Sequence, residues 1–390
     1  FHIIHVNGAE NISDAQIVAQ VAKMNTDWRK LNSDTSTIVP TFQPLAADVQ
    51  IEFRLAKKDP NGNCTNGIDR IYSHKTFNAD ENSKLNQWPR DKYMNVWVVA
   101  TIGTTPGVAG YALYPSSVDG FFYPYDGVVL LASVCNGSSR VLTHEIAHCF
   151  SLEHTFGDTN TPGVNCGDDL VTDTPPTKGH LGTCPLADST CTAGLIENVQ
   201  NYMEYASCPV MFTFGQRDRM QAALNSPVAS RHNLWIGSNL AATGTDGSGV
   251  GCAPVADFYT LSNKTAICAG STVTFTKNIL NTLPTDPATL LWSFPGSSSV
   301  TTLTGSPTTV TYPTPGLYSV SLTATNAAGV NTATKTDYIN VSGSADFMCP
   351  QVETFDTVIV FFYFREAQNL DGNANTWGLT SSTGYIGNHS

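Results

Sequence analysis

The eleven residues HEIAHCFSLEH, at positions 144–154, constrain this chain more than any other stretch, because they place three histidines close together. Residues four apart lie on one face of an α-helix, so His144 and His148 direct their imidazoles towards the same point. His154 follows six residues later, and a continuous helix would carry it to the far side. For all three imidazoles to meet, the helix must break near Ser151 and the chain must turn back.

Three neutral imidazoles with one open coordination position are the ligand set of a catalytic zinc ion. Glu145 is rotated by about 100° from His144 around the helix. It therefore lies beside the metal, where it can act as general base for a zinc-bound water. The alternative is a solvated helix with chance histidines, and the third histidine at this offset argues against it. The sequence thus predicts a hydrolytic zinc centre.

The composition narrows the class of protein further. A length of 390 residues predicts two or three domains. The net charge of −12 and the lack of a basic cluster disfavour nucleic acid and anionic membranes as partners. Ten widely spaced cysteines without a CxxC pair indicate disulfides and an oxidising compartment. No apolar run approaches the roughly 20 residues of a membrane span. The cysteines favour a secreted protein, and the start at Phe1 suggests the processed or truncated product of a longer precursor.

Apolar periodicity predicts an α/β (α+β) first domain with a mixed sheet and an active-site helix. The expected strands cover 1–6, 49–56, 94–101, 109–115 and 126–132, and the expected helices cover 13–31, 139–150 and 215–224. Short alternating runs later in the chain predict an all-β, immunoglobulin-like sandwich. The expected domains are 1–240 for catalysis, 241–251 as linker, 252–342 as the sandwich, and 343–390 as the incomplete start of a further β-rich module.

The segments HEIAHCFSLEHTF and NYMEY (201–205) together resemble the metzincin metallopeptidases, and among these the pappalysin family. The resemblance covers roughly residues 1–240. It implies a secreted endopeptidase that cleaves protein or peptide substrates, with zinc on the three histidines and Glu145 as catalytic base. It also implies that Met203 supports the zinc ligands from below in a Met-turn, and that Tyr205 stabilises the tetrahedral intermediate. For Met203 the alternative is an ordinary core methionine.

Two positions depart from the family pattern. Ser151 stands where the family has glycine, and a serine with positive φ costs about 1–2 kcal/mol. Ser207 precedes Cys208 where basic-specific members place an aspartate near that cysteine. A preference for Arg or Lys after the scissile bond is therefore not carried over.

By analogy with the family, substrate would pair as an extended strand along residues 109–113. Within this segment, the residues expected to bind substrate are Gly110, Tyr111, Ala112 and Leu113. The alternative is a plain edge strand without a ligand.

The stretch NCGDDLVTDTPPT (165–177) is rich in oxygen ligands. Asp169, Asp173, Thr174 and the carbonyl of Val171 suit calcium, and the relatives carry calcium in this region. A polar turn with locally capping aspartates is the alternative.

The cysteines of this region also follow from the resemblance, which implies the pairs Cys166–Cys191 and Cys184–Cys208. A third bridge, Cys252–Cys268, is expected within the second domain.

The segments LLWSFPG (290–296) and YPTPGLYSVSLTATNAAG (312–329) resemble the PKD repeat, with Trp292 in its core. Such modules imply a spacer, or a binder of polymers or surfaces, in an exported bacterial protein. The runner-up function is a non-catalytic extracellular adhesion or binding protein with a structural metal centre. Glu145 argues against it, because a pure binder has no use for a general base there.

Overall fold

The computed structural model divides the chain into two compact units, one formed mainly by Phe1–Pro254 and the other mainly by residues from Val255 onward. It describes residues 1–103, 107–158, 160–247, 251–261, 264–281, 288–298, 302–303 and 308–343, together with the backbone of 378–380 and 384–386. Most of the predicted module at 343–390 therefore lies outside the described residues. Within the described part, no helix has the length and apolar character needed to cross a membrane.

The first unit is built on a five-stranded mixed sheet with the order β2-β1-β3-β5-β4. Its strands are β1 (His2–His5), β2 (Asp69–Tyr72), β3 (Val96–Val99), β4 (Gly110–Ala112) and β5 (Val128–Leu131). The first four in this order run parallel, and β4 pairs antiparallel with β5 at the edge. Continuous apolar runs form β3 and β5 because both faces of the sheet are covered. The expected α/β class is confirmed.

Five helices accompany this sheet: α1 (Asp14–Trp28), α2 (Pro115–Val118), α3 (Val141–His148), α4 (Phe214–Leu224) and α5 (Gly237–Thr243). A capping box between Ser13 and Gln16 begins α1. The buried stripe of α1 packs in one apolar cluster with Leu142 and Ile146 of α3. The same cluster contains residues of β1, β3 and β5, so α3, and with it the histidine motif, packs against both α1 and the sheet.

The strand expected at 49–56 is wrong, because this segment joins no sheet. The amide of Val49 donates to the carbonyl of Trp28 (2.8 Å), and the amide of Phe53 to Oδ1 of Asn25 (2.8 Å). The alternating apolar residues thus pack against α1 instead of a neighbouring strand. The linker expected at 241–251 also begins too early, since α5 continues to Thr243.

The second unit consists of two antiparallel-rich sheets, with the orders β10-β9-β12-β13-β7 and β11-β8-β6. Its strands are β6 (Val255–Thr260), β7 (Ala266–Cys268), β8 (Thr272–Leu280), β9 (Thr289–Ser293), β10 (Thr302–Leu303), β11 (Thr308–Thr311), β12 (Gly316–Asn326) and β13 (Gly329–Ser342). Trp292 is fully buried and contacts the rings of Phe258, Phe275 and Phe294. The backbone of β14 (Gly378–Thr380) pairs with β15 (Gly384–Ile386) further along the chain.

Candidate zinc centre

The histidine motif is a short helix followed by a reversal of the chain. His144 and His148 lie on α3, which ends at His148. Ser151 then adopts a left-handed conformation with φ of 67°. The amide of Leu152 donates back to the carbonyl of Ala147 (3.1 Å). This turn returns the chain, so that the ring of His154 lies 5.1 Å from that of His144.

Hydrogen bonds from Nδ1 set the tautomers of the two helical histidines. Nδ1 of His144 donates to the carbonyl of Tyr202 (2.6 Å), and Nδ1 of His148 donates to the carbonyl of Leu152 (2.6 Å). Each Nε2 therefore carries a lone pair, and the two Nε2 atoms lie 3.1 Å apart. Such an approach of two lone pairs is repulsive unless a cation lies between them. The arrangement therefore fits a metal ion on the Nε2 side.

The three histidines together present ligand atoms within 4.8 Å of one another. Burial lowers the pKa of His144 to about 3. Burial likewise lowers the pKa values of His148 and His154 to about 4. All three imidazoles are thus neutral, which is the form that binds a transition metal.

His154 is oriented by neighbours that the sequence did not point to. Its ring stacks on Phe156 at 4.9 Å, and its Nδ1 lies 3.4 Å from Oδ1 of Asp158. Tyr114 packs its ring edge-on against His148 at 5.4 Å, and its hydroxyl interacts with Asp158. The one available signal was position, because Tyr114 lies two residues after the edge strand and Asp158 lies four residues after a ligand histidine.

Glu145 lies buried against the edge strand. Its side chain is 8% exposed, and burial raises its pKa to about 8 in the absence of a cation. A Cβ added at Gly110 would lie only 3.0 Å from Cγ of Glu145, so glycine permits this close approach of β4 to α3. The Glu145 carboxylate also raises the pKa of Tyr205, after the larger effect of burial, so the two groups share one electrostatic environment.

The segment around Met203 packs against α3 and against the ligand His154. Met203 is fully buried in the apolar cluster that contains Ile146, and its carbonyl accepts from the amide of Thr155 (3.2 Å). The ring of Tyr205 lies 4.8 Å from that of His154 and 5.2 Å from that of Phe156. Tyr205 remains 40% exposed, so its hydroxyl is open to a ligand.

The edge strand offers main chain rather than side chains. In β4, Tyr111 pairs with Val129, and the carbonyl of Ala109 accepts from the amide of Leu131 (2.9 Å). Hydrogen bonding alternates along an antiparallel strand, so the polar groups of Gly110 and Ala112 point to the open edge. The side chain of Tyr111 packs on the opposite face of the sheet with Trp97. Leu113 follows the end of the strand.

In the loop expected to bind calcium, the structure brings three of the four candidates together. Oδ1 of Asp169 accepts from the amide of Val171 (3.1 Å) and the hydroxyl of Thr174 (2.5 Å), and that hydroxyl also contacts the Val171 carbonyl (2.7 Å). Oδ2 of Asp169 is buried without a partner, and burial raises the pKa of Asp169 to about 6. Asp173 instead caps α4, accepting from the hydroxyl of Thr213 (2.6 Å) and the amide of Gly215 (2.9 Å).

Three disulfides join described cysteines: Cys166–Cys191, Cys184–Cys208 and Cys64–Cys252. The expected Cys252–Cys268 bridge is wrong. The chain after α5 returns to the segment before Cys64, where the amide of Lys57 donates to the carbonyl of Thr243 (2.8 Å). Cys252 therefore meets a cysteine 188 residues away, a contact that no local spacing reveals. Cys135 and Cys149 are free and buried.

A buried aspartate that the sequence did not single out connects the parts of this site. Asp27 of α1 accepts from the hydroxyls of Thr143 (3.0 Å) and Tyr202 (3.1 Å) and pairs with Lys23 (2.6 Å) and Arg140 (3.2 Å). It thereby connects α1, α3 and the segment whose carbonyl orients His144. The available signal was a carboxylate on the mainly apolar face of α1, between Met24 and Trp28.

The sheet, the three converging histidines and the adjacent carboxylate define a zinc-dependent metalloendopeptidase. Comparison with known proteins agrees, because residues 78–225 match the family model described as pregnancy-associated plasma protein-A. Residues 252–341 match the PKD domain model. The chain belongs to the pappalysin family of metallopeptidases, and the expected resemblances to that family and to the PKD repeat are confirmed.

Among similar curated proteins, extracellular metalloprotease 1 of Coccidioides posadasii is 31% identical over 242 residues, which cover 57% of this chain and 74% of the relative. An extracellular metalloprotease of Pyricularia oryzae is 27% identical over 238 residues, which cover 56% of this chain and 82% of that relative. Mature mirolysin of Tannerella forsythia, solved with a cleaved peptide, is 32% identical with a TM-score of 0.54, covering 62% of this chain and 95% of mirolysin. These relatives, together with the disulfides, support secretion of this chain.

Proposed function

We propose that His144, His148 and His154 hold the catalytic zinc ion and that Glu145 is the general base and acid of peptide-bond hydrolysis. The observation that carries this assignment is the 3.1 Å approach of two unprotonated Nε2 atoms, which a cation between them would stabilise. Met203 supports the ligand histidines by packing beneath α3. Tyr205 is the residue that stabilises the oxyanion.

The reaction divides between the ion and the chain. When bound, zinc supplies Lewis-acid chemistry that polarises the scissile carbonyl and lowers the pKa of the attacking water. Glu145 accepts a proton from that water and delivers it to the leaving amine. The Tyr205 hydroxyl donates a hydrogen bond to the oxygen of the tetrahedral intermediate. The carbonyls of Tyr202 and Leu152 hold the histidines in the tautomer that presents Nε2.

The role of Glu145 is tested with Glu145→Gln, which keeps the shape of the side chain but removes its basicity. We expect kcat on a fluorogenic peptide to fall by at least about 10³-fold, while zinc content and melting temperature stay unchanged. The control is Glu52→Gln, at a surface position paired with Arg54. Activity close to wild type in Glu145→Gln would exclude the proposed base and would favour the binding-protein alternative.

We propose that substrate adds a strand to the open edge of β4, along Gly110–Leu113. Ala112→Pro tests this, because it removes one outward amide and proline is tolerated on an edge strand. We expect KM for a long peptide to rise about tenfold with little change in melting temperature. An unchanged KM would show that the edge is not used.

We also propose a calcium ion at Asp169, Val171 and Thr174, with Asp173 more remote. The buried, unpartnered Oδ2 of Asp169 supports a cation there. Asp169→Asn should abolish the rise in melting temperature that millimolar calcium produces in the wild type. If calcium does not change the wild-type melting temperature, the loop is a polar turn.

We propose the domains 1–240 for the peptidase, extended to Thr243 by the end of α5, 252–342 for the PKD sandwich and 343–390 for a further module, with the sandwich acting as a spacer. Deleting residues 255–390 should then leave cleavage of a soluble peptide unchanged. Lost binding to an insoluble polymer would instead indicate a binding role. A bacterial origin also stays a proposal, because the curated relatives named above are fungal.

A further inference from the structure

A second cluster of ionisable side chains contacts the main chain of Tyr205 and has no part in the mechanism above. Its centre is His180, a buried residue in the loop that the Cys166–Cys191 disulfide closes. Around it lie the carboxylates of Asp188, Glu197 and Glu204. Glu197 and Glu204 have fully buried side chains, so the cluster is not a solvated surface patch.

Both ring nitrogens of His180 face carboxylate oxygens. Nδ1 lies 2.8 Å from Oε1 of Glu204, and Nε2 lies 2.9 Å from Oδ2 of Asp188 and 3.6 Å from Oε2 of Glu197. A neutral imidazole donates from only one nitrogen, so one of these contacts would then join two acceptors. With all three carboxyl groups ionised, the geometry therefore favours a proton on both nitrogens.

The remaining partners of the three carboxylates do not supply this charge. Oδ1 of Asp188 accepts from Thr190, and Glu197 accepts from the hydroxyl of Thr177 (2.5 Å) and the amide of Cys191 (2.9 Å). Lys178 is the one other charged group recorded near the cluster among the described residues, at 3.9 Å from Asp188. The ring of His180 is therefore the main buried cation among three anions.

Glu204 transmits the position of His180 to Tyr205. Its Oε2 accepts from the main-chain amides of His180 (3.1 Å) and Tyr205 (2.6 Å). The carbonyl of Tyr205 accepts from the amide of Gly182 (2.9 Å). The amide of Tyr205 is thus held by Glu204, and its carbonyl is held by Gly182 in the loop segment that follows His180.

We propose that His180, held as an imidazolium between Asp188 and Glu204, is a positioning residue that aims the Tyr205 hydroxyl at the reacting carbonyl. The inference rests on the proposed role of Tyr205. His180 touches neither substrate nor metal ligand, and it acts through Glu204. A misplacement of about 1 Å in a group that contacts the transition state can lower the rate by up to about 10²-fold.

The charge on His180 gives the proposal a pH signature. The pKa of His180 is raised, because its hydrogen bonds to Asp188 and Glu204 outweigh the opposing effect of burial, which is the largest single contribution. The imidazolium is therefore present below this pKa and is lost as the pH rises through it. At pH values above the pKa of His180, the Tyr205 hydroxyl should be less well positioned, and kcat should therefore decline.

The experiment is a double-mutant cycle on kcat with Tyr205→Phe, His180→Ala and the combined variant, each assayed on one fluorogenic peptide. We expect Tyr205→Phe to lose about 10–100-fold in kcat and His180→Ala to lose about tenfold with little change in KM. In the Tyr205→Phe background, His180→Ala should have little further effect. The matched control, His232→Gln, removes a half-buried histidine elsewhere in this unit and should retain wild-type kcat.

The outcomes separate this inference from the proposed function. If Tyr205→Phe keeps full activity, the role of Tyr205 fails and this inference fails with it. If Tyr205→Phe is impaired but His180→Ala has normal kcat, or if the two losses simply multiply, His180 does not position Tyr205 and only the inference fails.

Should His180→Ala not fold, Asp188→Asn provides a second reading. This change removes one anionic partner and lowers the pKa of His180, so the alkaline decline of kcat should move to lower pH. An unchanged pH profile in a folded Asp188→Asn variant would overturn the proposal.

Discussion

Two main-chain oxygens decide which nitrogen of His144 and of His148 faces the metal position. Neither oxygen could be inferred from the motif, which specifies ligands but not their partners. The carbonyl of Leu152 reaches His148 only because Ser151 adopts positive φ, and the carbonyl of Tyr202 reaches His144 from more than fifty residues away. At the scale of residues, the sequence therefore predicts the identity of the ligands and the need for a turn, whereas tertiary contacts supply their orientation.

Ser151 is a position where the chain can be made more stable. Ser151→Gly should raise the free energy of unfolding by about 0.5–1 kcal/mol, because relief of left-handed strain in a serine outweighs the extra flexibility of unfolded glycine. Ser117→Gly, at an exposed position in α2, should lower it by a similar amount. Denaturant titration measures both, and equal effects of the two changes would contradict the strain argument.

At the scale of elements, α3 is held at both ends by buried ion pairs. Asp27 connects its first turn to α1 and to Tyr202. Arg231 pairs with Asp126 (2.7 Å) and donates to the carbonyl of Cys149 just after the helix (3.0 Å). Apolar periodicity predicted α1, whose buried residues recur along one face, whereas α3 is buried on nearly every side and was identified by its histidine motif. Periodicity could not predict these pairs, nor the loss of strand pairing at 49–56, because both depend on which element lies alongside.

Asp27→Ala should therefore be destabilising, by about 2–3 kcal/mol, because it leaves the buried hydroxyls of Thr143 and Tyr202 without their acceptor, while Arg140 keeps its pair with Asp34. The control is Asp48→Ala, which breaks a half-exposed pair with Arg29 and should cost less than about 1 kcal/mol. Urea unfolding of the two variants compares them directly. A small effect at Asp27 would mean that α3 is held mainly by its apolar face.

At the scale of the whole chain, hydrophobic periodicity predicted the mixed sheet and the sandwich in that order along the chain, and the family resemblances agreed with it. Neither predicted Cys64–Cys252, since that pairing depends on how the chain returns after α5. A bond that closes a longer loop restricts the unfolded chain more. The two cysteines of Cys64–Cys252 are 188 residues apart, whereas those of Cys166–Cys191 are 25 residues apart.

Replacing Cys64 and Cys252 together by serine should lower the free energy of unfolding by about 5 kcal/mol, and replacing Cys166 and Cys191 by about 3.5 kcal/mol. The larger loss is expected for the longer loop because more entropy returns to the unfolded state. Thermal or denaturant unfolding of both double variants, with the wild type, measures the difference. The reverse ranking would indicate that local packing around the shorter bridge dominates.

The three disulfides also affect how this protein withstands cleavage by other proteolytic enzymes. A cut at any exposed bond between positions 64 and 252 severs the backbone but releases no fragment, since both ends stay covalently joined. A single cut by another protease, or by another copy of this protein, thus leaves the three histidines in one covalently connected molecule.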